Sequence, residues 1–351
     1  MNYNVIKLIG QGSYGKVYIV RKKGYYTEYA LKKITLNKLN YKEKQNLINE
    51  LKILRYSKSP FLLKYIDCSY NKYVVNIITP IYTNGDLHNL ITKNRNKGHY
   101  FKEYIIWNYL IQLLLGIDYL HKHNIIHRDI KPSNIFLDND MSKIIIGDFG
   151  ISKILNNNMF TRTFVGTPFY MSPEILTNKK YGKKIDVWAI GCVLIELITL
   201  KPPFNGKTLN ELKQNILSLT FYKNIENYGY SKDLIHIVKS IFVLNSKYRP
   251  TIRDLLNNPS IRNKIDILYG HDYKPNQLDI TRFNYKFKKK KKNNIRIVID
   301  NIKEPTIKNK LPNINKPPWN YNIPKYSHYN KNRSYNIITN QSNYKNILPN
   351  I

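Results

Sequence analysis

The sequence predicts an α+β fold with a small β-rich front lobe and a larger helical back lobe. Three observations carry this expectation. Residues 3–36 alternate apolar and polar side chains around glycines (VIKLIGQGSYGKVYIV, then YYTEYALKKITL), the period-two pattern of strands. Residues 62–82 return to short strand-like runs. From Asp86 onward the periodicity turns helical, and YIIWNYLIQLLLGIDYLH (104–121) reads as one long amphipathic helix.

Between the two strand regions, YKEKQNLINELKILRY (41–56) carries Leu47, Leu51 and Leu54 at helical spacing. Further helices are expected over 186–200, 209–218 and 232–244. Near residue 263 the texture changes: residues 263–351 hold 18 Lys/Arg against 5 Asp/Glu and seven of the 16 prolines, and periodicity is lost. The expected organisation is therefore a folded domain over 4–262 followed by a basic, mostly disordered tail over 263–351. Within the domain, the front lobe covers about 4–79, a connector 80–85 and the back lobe 86–262. There are no internal repeats and no heptad run.

Bulk properties narrow the function classes. The 351 residues hold 57 Lys/Arg against 23 Asp/Glu, a formal charge of +34. Such a balance favours phosphate-rich or acidic partners without demonstrating them. Asn, Lys, Ile and Tyr are abundant even in structurally idle stretches, so a coding bias is the plain alternative. Only Cys68 and Cys192 are present, which argues against a disulfide framework and for a reducing compartment. The N-terminus carries no secretory or myristoylation signal. The longest apolar run, Val187–Leu200, is short and contains Glu196, so it reads as a buried helix and not a membrane span. A cytoplasmic or nuclear location follows, with no membrane partner.

Seven motifs appear in order. IGQGSYGKVY places Gly10, Gly12 and Gly15 in a G-x-G-x-x-G pattern ahead of Val17. A dinucleotide site would need a helix next, but strand pattern follows, so these glycines suit a hairpin lying over phosphates. Ala30-Leu31-Lys32 puts a cation on the following strand, and Glu50 on the 41–56 helix could hold it. IIHRDIKPSNIFLD (125–138) concentrates His127, Arg128, Asp129, Lys131 and Asn134 between apolar pairs expected as strand and core (Ile125, Ile126, Ile135, Phe136, Leu137). A buried acid beside two cations is costly unless chemistry uses it. IIIGDFGIS supplies Asp148-Phe149-Gly150. TRTFVGTPFYMSPEI (161–175), DVWAIGC (186–192) and YRPT (248–251) then supply Glu174, Asp186 and Arg249. Glu174 needs a buried cation, and Arg249 is its natural partner. Asp186 would brace the 125–138 loop from the start of a helix. Each piece alone has a bland reading, such as a hairpin turn, a solvated lysine, a surface glutamate or a turn tripeptide. Their common order at workable spacings across residues 10–250 does not.

Over about residues 4–262 the sequence resembles a eukaryotic protein kinase. HRDIKPSNIF, GDFGISK and TFVGTPFYMSPE resemble strings of the NIMA-related (Nek) Ser/Thr kinases. The resemblance implies a bilobal protein-kinase-like fold and ATP-dependent transfer of the γ-phosphate to protein Ser/Thr hydroxyls. Mg²⁺ is the implied metal, with Mn²⁺ as an alternative. Phosphoryl transfer is mostly positioning and charge stabilisation, so an acid, a cation and a metal ligand are needed on one rigid loop.

The family pattern assigns roles residue by residue. Asp129 would orient the attacking hydroxyl, Lys131 would neutralise the transferring group, and Asn134 and Asp148 would hold the metal. Lys32, paired with Glu50, would hold the phosphates. Ile9, Gly10, Gly12 and Gly15 would cover the nucleotide, and Val17, Ala30 and Phe136 would sandwich the base. Thr79 falls at the gatekeeper position. Pro80 lacks an N–H but offers a carbonyl, and Tyr82 would give adenine an N–H. Asp86 would reach the ribose. Leu54, Tyr65, His127 and Phe149 would stack as a regulatory spine. Lys131 with Thr167 is the Ser/Thr pattern. Thr163, with Thr161 as rival, matches the activating phosphothreonine, and Arg128, with Lys153, its receptor.

Three departures stand out. Ser59-Pro60-Phe61 replaces the common His-Pro-Asn. The tail has no coiled coil for dimerisation. Ser133 stands where Arg-directed kinases often carry Glu, which predicts no strong preference for upstream Arg. Two other classes remain open. A pseudokinase scaffold is opposed by the presence of Lys32, Asp129 and Asp148. A polyanion-binding protein would use the basic tail, above all the Lys286–Lys292 run, on nucleic acid or the acidic microtubule surface.

Overall fold

The computed structural model describes residues 2–12, 15–36, 47–48, 51, 54–71, 73–147, 168–219 and 225–270. The alternating N-terminal segment forms β1 (Tyr3–Gly12), β2 (Gly15–Lys22) and β3 (Glu28–Thr35). With β4 (Asp67–Tyr70) and β5 (Val74–Pro80) they make one antiparallel sheet in the order β1-β2-β3-β5-β4. Residue 15 must be glycine: a Cβ there would stand 2.0 Å from the Lys33 carbonyl oxygen on the next strand. Pro80 closes β5, a strand end where a missing N–H is tolerated. Leu47, Leu51 and Leu54 are helical and buried, as their spacing predicts.

The back lobe begins with α1 (Leu87–Lys97) and α2 (Glu103–Lys122). A small ladder follows, β6 (Ile135–Leu137) paired antiparallel with β7 (Ile144–Ile146). Then come α3 (Pro173–Leu176), α4 (Lys184–Thr199), α5 (Leu209–Ser218), α6 (Lys232–Ile241), α7 (Ile252–Leu256) and α8 (Pro259–Tyr269). Every residue of α4 from Ile185 to Ile198 is buried, so the apolar run is a central core helix, as expected. Full burial of one Ile or Leu contributes about 1.5–3 kcal/mol, which makes α4 and α2 the stable base for anything built on their ends. The core runs unbroken from the sheet (Ile34, Val75, Ile77) through α2 and α4 to Ile265 of α8.

Three expectations shift. The helix expected over 232–244 ends at Ile241. Ile125 and Ile126 lie outside any strand; Ile125 is core, and only Ile135–Leu137 pair as β6. The composition break at 262/263 falls inside α8, which runs on to Tyr269. Ile261 and Ile265, one turn apart, are both fully buried, and the Tyr269 hydroxyl donates to Asn108 Oδ1 at 2.7 Å. Counting charges and prolines hid this last helical stripe. Cys68 and Cys192 are buried free thiols, and burial pushes Cys68 up to about 11. Among the described residues no helix is long and apolar enough to cross a membrane.

Candidate active site

The polar loop 127–134 is anchored from below by Asp186, in the first turn of α4 and 1% exposed. Its two carboxylate oxygens accept the backbone N–H groups of His127 and Arg128, each at 2.9 Å. His121, in the last turn of α2, places Nε2 2.8 Å from the same carboxylate. Lys183 Nζ donates to the His121 carbonyl at 2.6 Å and to Asn124 Oδ1 at 2.8 Å. Both Asn124 (φ 58) and Arg128 (φ 68) hold left-handed backbone, which costs about 1–2 kcal/mol for an L-residue. The buried carboxylate offsets that strain where the Arg128 amide needs a partner.

On this base the reactive side chains converge. His127 is fully buried; its Nδ1 accepts the Asp129 N–H at 3.3 Å and its Nε2 donates to the Gly147 carbonyl at 3.0 Å. Those two partners require a neutral ring with its proton on Nε2. Asn134 Nδ2 donates to the Asp129 carbonyl at 2.7 Å and to its Oδ2 at 2.9 Å. Lys131 Nζ lies 3.0 Å from the same Oδ2. With Nδ2 committed to Asp129, Oδ1 is the atom Asn134 can offer a hard divalent cation.

Lys32 reaches this cluster from the sheet. Burial lowers its ammonium to about 8, Asp129 pulls the other way, and Lys131 pushes it further down. The three charged groups therefore sense one another although 97 residues separate Lys32 from Asp129 in sequence. The strand register places Val17 opposite Lys32 and Ala30 opposite Thr79, with Gly10 opposite Val17. Ile9 is half-buried and Gly12 pairs with Gly15 at the hairpin end. Thr79 is 8% exposed, and Pro80 pairs with Tyr29. Beyond the strand, the Tyr82 ring lies stacked on Phe136, with centroids 5.8 Å apart and planes 16° apart. Asp86 caps α1, its Oδ1 accepting the Asn89 N–H at 2.8 Å, and burial raises its carboxyl to about 6. The expected ribose ligand is thus also a helix cap.

Away from the loop, Glu174 and Arg249 form the pair that their sequence motifs suggest, a bidentate contact at 2.8 and 2.9 Å. Arg249 also donates to the Lys184 and Val243 carbonyls and lies over the Trp188 ring at 5.0 Å. Glu50, Phe149, Thr161, Thr163, Thr167, Lys153 and the proposed metal ligand Asp148 lie outside the described residues.

Sequence reasoning missed four contributors. His121 and Lys183 support the loop; the signal was a His at a buried helical position just ahead of the motif. Gly147 stood in the GDFGISK string with no role of its own. Glu196, noted as a polar interruption, accepts a hydrogen bond from the Tyr170 hydroxyl, and burial raises its carboxyl to about 7.

The chain matches the family model for the protein kinase domain over residues 3–261. It is 37% identical over 264 residues to the Serine/threonine-protein kinase Nek5 of Homo sapiens, covering 75% of this chain and 37% of that one. Likewise, it is 35% identical over 289 residues to the G2-specific protein kinase fin1 of Schizosaccharomyces pombe, covering 75% and 40%. Against the Probable serine/threonine-protein kinase nek2 of Dictyostelium discoideum the figures are 37% over 268 residues, covering 75% and 63%. The chain thus spans less than two thirds of the length of these curated relatives.

Proposed function

The chain belongs to the protein kinase family, and on that premise we propose that it is an ATP-dependent Ser/Thr protein kinase of the NIMA-related type. One observation carries most of the weight: Asn134 Nδ2 and Lys131 Nζ converge on the Asp129 carboxylate, at 2.9 and 3.0 Å, on a loop whose backbone Asp186 anchors. Transfer of a phosphoryl group needs cations for the phosphates and an acid for the incoming hydroxyl at one place. Asp129 accepts or orients the hydroxyl proton, Lys131 offsets charge on the transferring group, and Lys32 holds the nucleotide phosphates. A divalent ion, Mg²⁺ or Mn²⁺, would be held by Asn134 and Asp148 and would neutralise phosphate charge. The hairpin residues Ile9, Gly10, Gly12 and Gly15 cover the nucleotide, and Glu50 orients Lys32. Val17, Ala30 and Phe136 enclose the base, with Thr79, Pro80 and Tyr82 along its edge and Asp86 near the ribose. Asp186, Glu174 and Arg249 are structural supports.

Incubation of the full chain with ATP, Mg²⁺ and a generic protein substrate, followed by phosphosite mapping, should yield phosphoserine and phosphothreonine. Product confined to tyrosine, or no transfer at all, would overturn this reading. Phosphorylation of Thr163, or of its rival Thr161, is proposed as the activating event, with Arg128 receiving a phosphate of about −1.5 to −2 charge. Thr163→Ala should lower activity; full activity in that variant counts against the switch. The relatives' names include a G2-specific kinase, which supports a cell-cycle role; a place in the cytoplasm or nucleus is proposed with it. The Lys286–Lys292 run is proposed to contact a polyanion such as nucleic acid or the microtubule surface. Such binding should weaken steeply with added salt.

A further inference from the structure

We propose that the Tyr82 side chain is a positioning residue for phosphoryl transfer, acting through Phe136 and the Gly147 peptide on the loop that carries Asn134 and Asp129. The inference rests on the kinase reading above and assigns a role to a ring for which that reading used only the backbone.

Four contacts form the chain. Tyr82 stacks on Phe136 with centroids 5.8 Å apart and nearly parallel planes. Phe136 in turn presses on residue 147, where a Cβ would fall 2.6 Å from its Cε2 and 3.1 Å from its Cδ2. Real Cβ atoms do not approach so closely, so only glycine fits while the ring keeps this orientation. The Gly147 peptide is tied at both ends to the loop: its N–H donates to the Asn134 carbonyl at 2.9 Å, and its carbonyl accepts from His127 Nε2 at 3.0 Å. Asn134 then holds Asp129 through its carboxylate and carbonyl.

The geometry has one soft joint. An aromatic χ2 torsion is broad, so Phe136 has no strong intrinsic preference for the plane it adopts. Its backbone is fixed, by pairing to Ile145 and by a bridge to Asp86. The orientation of the ring is what remains to be set, and the parallel Tyr82 ring favours one plane over others by roughly two- to tenfold. Rotation of Phe136 would bear on Gly147, whose two hydrogen bonds fix the position of Asn134 and His127. Gly147 also directly precedes Asp148 in the chain. A side chain at the base end of the site thereby sets the loop at the phosphate end.

The test compares the full-length protein with Tyr82→Ala, Tyr82→Phe, Phe136→Leu, Gly147→Ala and the doubles Tyr82→Ala/Phe136→Leu and Phe136→Leu/Gly147→Ala. Backbone hydrogen bonding at residue 82 survives in all of them. Tyr82→Ala should lower kcat/KM for ATP by about tenfold and raise the Mg²⁺ concentration for half-maximal rate, a larger loss than in Tyr82→Phe, which keeps an aromatic ring against Phe136. Phe136→Leu should mask the Tyr82→Ala effect, because the relay is already cut. It should also recover part of the activity lost in Gly147→Ala, since leucine has no atom where Cε2 stands.

Hydrogen exchange of the Gly147 amide supplies a readout independent of activity. It should accelerate in Tyr82→Ala and not in Tyr82→Phe. Unchanged exchange in Tyr82→Ala, or Tyr82 and Phe136 effects that simply multiply, would overturn the proposal. An inactive wild-type protein would instead strike at the kinase reading, with the exchange result still deciding the relay.

Discussion

Arg249 and Glu174, 75 positions apart in sequence, meet in a bidentate ion pair from which water is excluded, their side chains being 0% and 5% exposed. The guanidinium is held further by two backbone carbonyls and the Trp188 ring. Removing one partner of such a pair strands the other charge. Arg249→Met should therefore cost about 3–5 kcal/mol of stability in chemical denaturation. The double change Arg249→Met/Glu174→Leu should recover much of that loss, because neither charge is then stranded. If the single variant unfolds at the wild-type denaturant concentration, the pair is not structural.

Asp186 links the catalytic loop to the core helix α4 through the His127 and Arg128 amides. Asp186→Ala leaves two buried donors unmatched beside a left-handed residue. Transfer rates should fall at least about tenfold, since small misplacements of reacting groups are expensive. Asp186→Asn keeps one oxygen acceptor and should fall between the two. Equal kcat in Asp186→Ala and wild type would separate the anchor from catalysis.

Lys32 has a pH signature. Burial depresses its folded value to about 8 from 10.5 in the unfolded chain. Between those values the unfolded state binds more protons, so stability should rise as pH climbs from about 8 toward 10.5. Lys32→Met should abolish that rise. Nucleotide phosphates favour the ammonium, so ATP binding near pH 8–9 should take up a proton and weaken as pH increases through about 8. Calorimetry in buffers of different ionisation enthalpy checks both directions.

Glu196 behaves oppositely. Burial raises its folded value to about 7 from 4.5, with the Tyr170 hydroxyl and Arg95 opposing. Here the folded state binds more protons. The stability it contributes is present below pH 4.5 and is lost as pH rises to 7, at up to about 1.4 kcal/mol per pH unit. Glu196→Gln should flatten this slope in urea titrations across that range, and an unchanged slope would assign the dependence elsewhere.

Much of this was legible in the sequence because period and spacing are local signals. The period-two run at 3–36 became β1–β3, the leucine stripe at 47, 51 and 54 became buried, and the HRD motif became one anchored loop. Glu174 and Arg249 could be paired in advance because two charges with nowhere else to go must meet. What escaped depends on tertiary proximity. The buried helical position of His121 hints at a role, but nothing in sequence says that its partner is a carboxylate 65 residues later, and the need for glycine at 147 exists only once Phe136 lies against it. Likewise, Tyr82 is a hinge residue by position, but its ring contact appears only when 80–86 folds back on β6. The helical stripe that carries α8 on to Tyr269 past the composition break was hidden because two isoleucines and a tyrosine sit among charged residues that dominate the composition.

The most direct measurement is the phosphotransfer rate of the full chain with ATP and Mg²⁺, wild type against Asp129→Asn, alongside the unfolding midpoint of each. Asparagine keeps the side-chain shape but cannot accept the proton of the attacking hydroxyl. Loss of about 10²–10⁴-fold in rate with an unmoved midpoint is expected of a positioned acid–base residue. Transfer by Asp129→Asn at the wild-type rate would contradict the account.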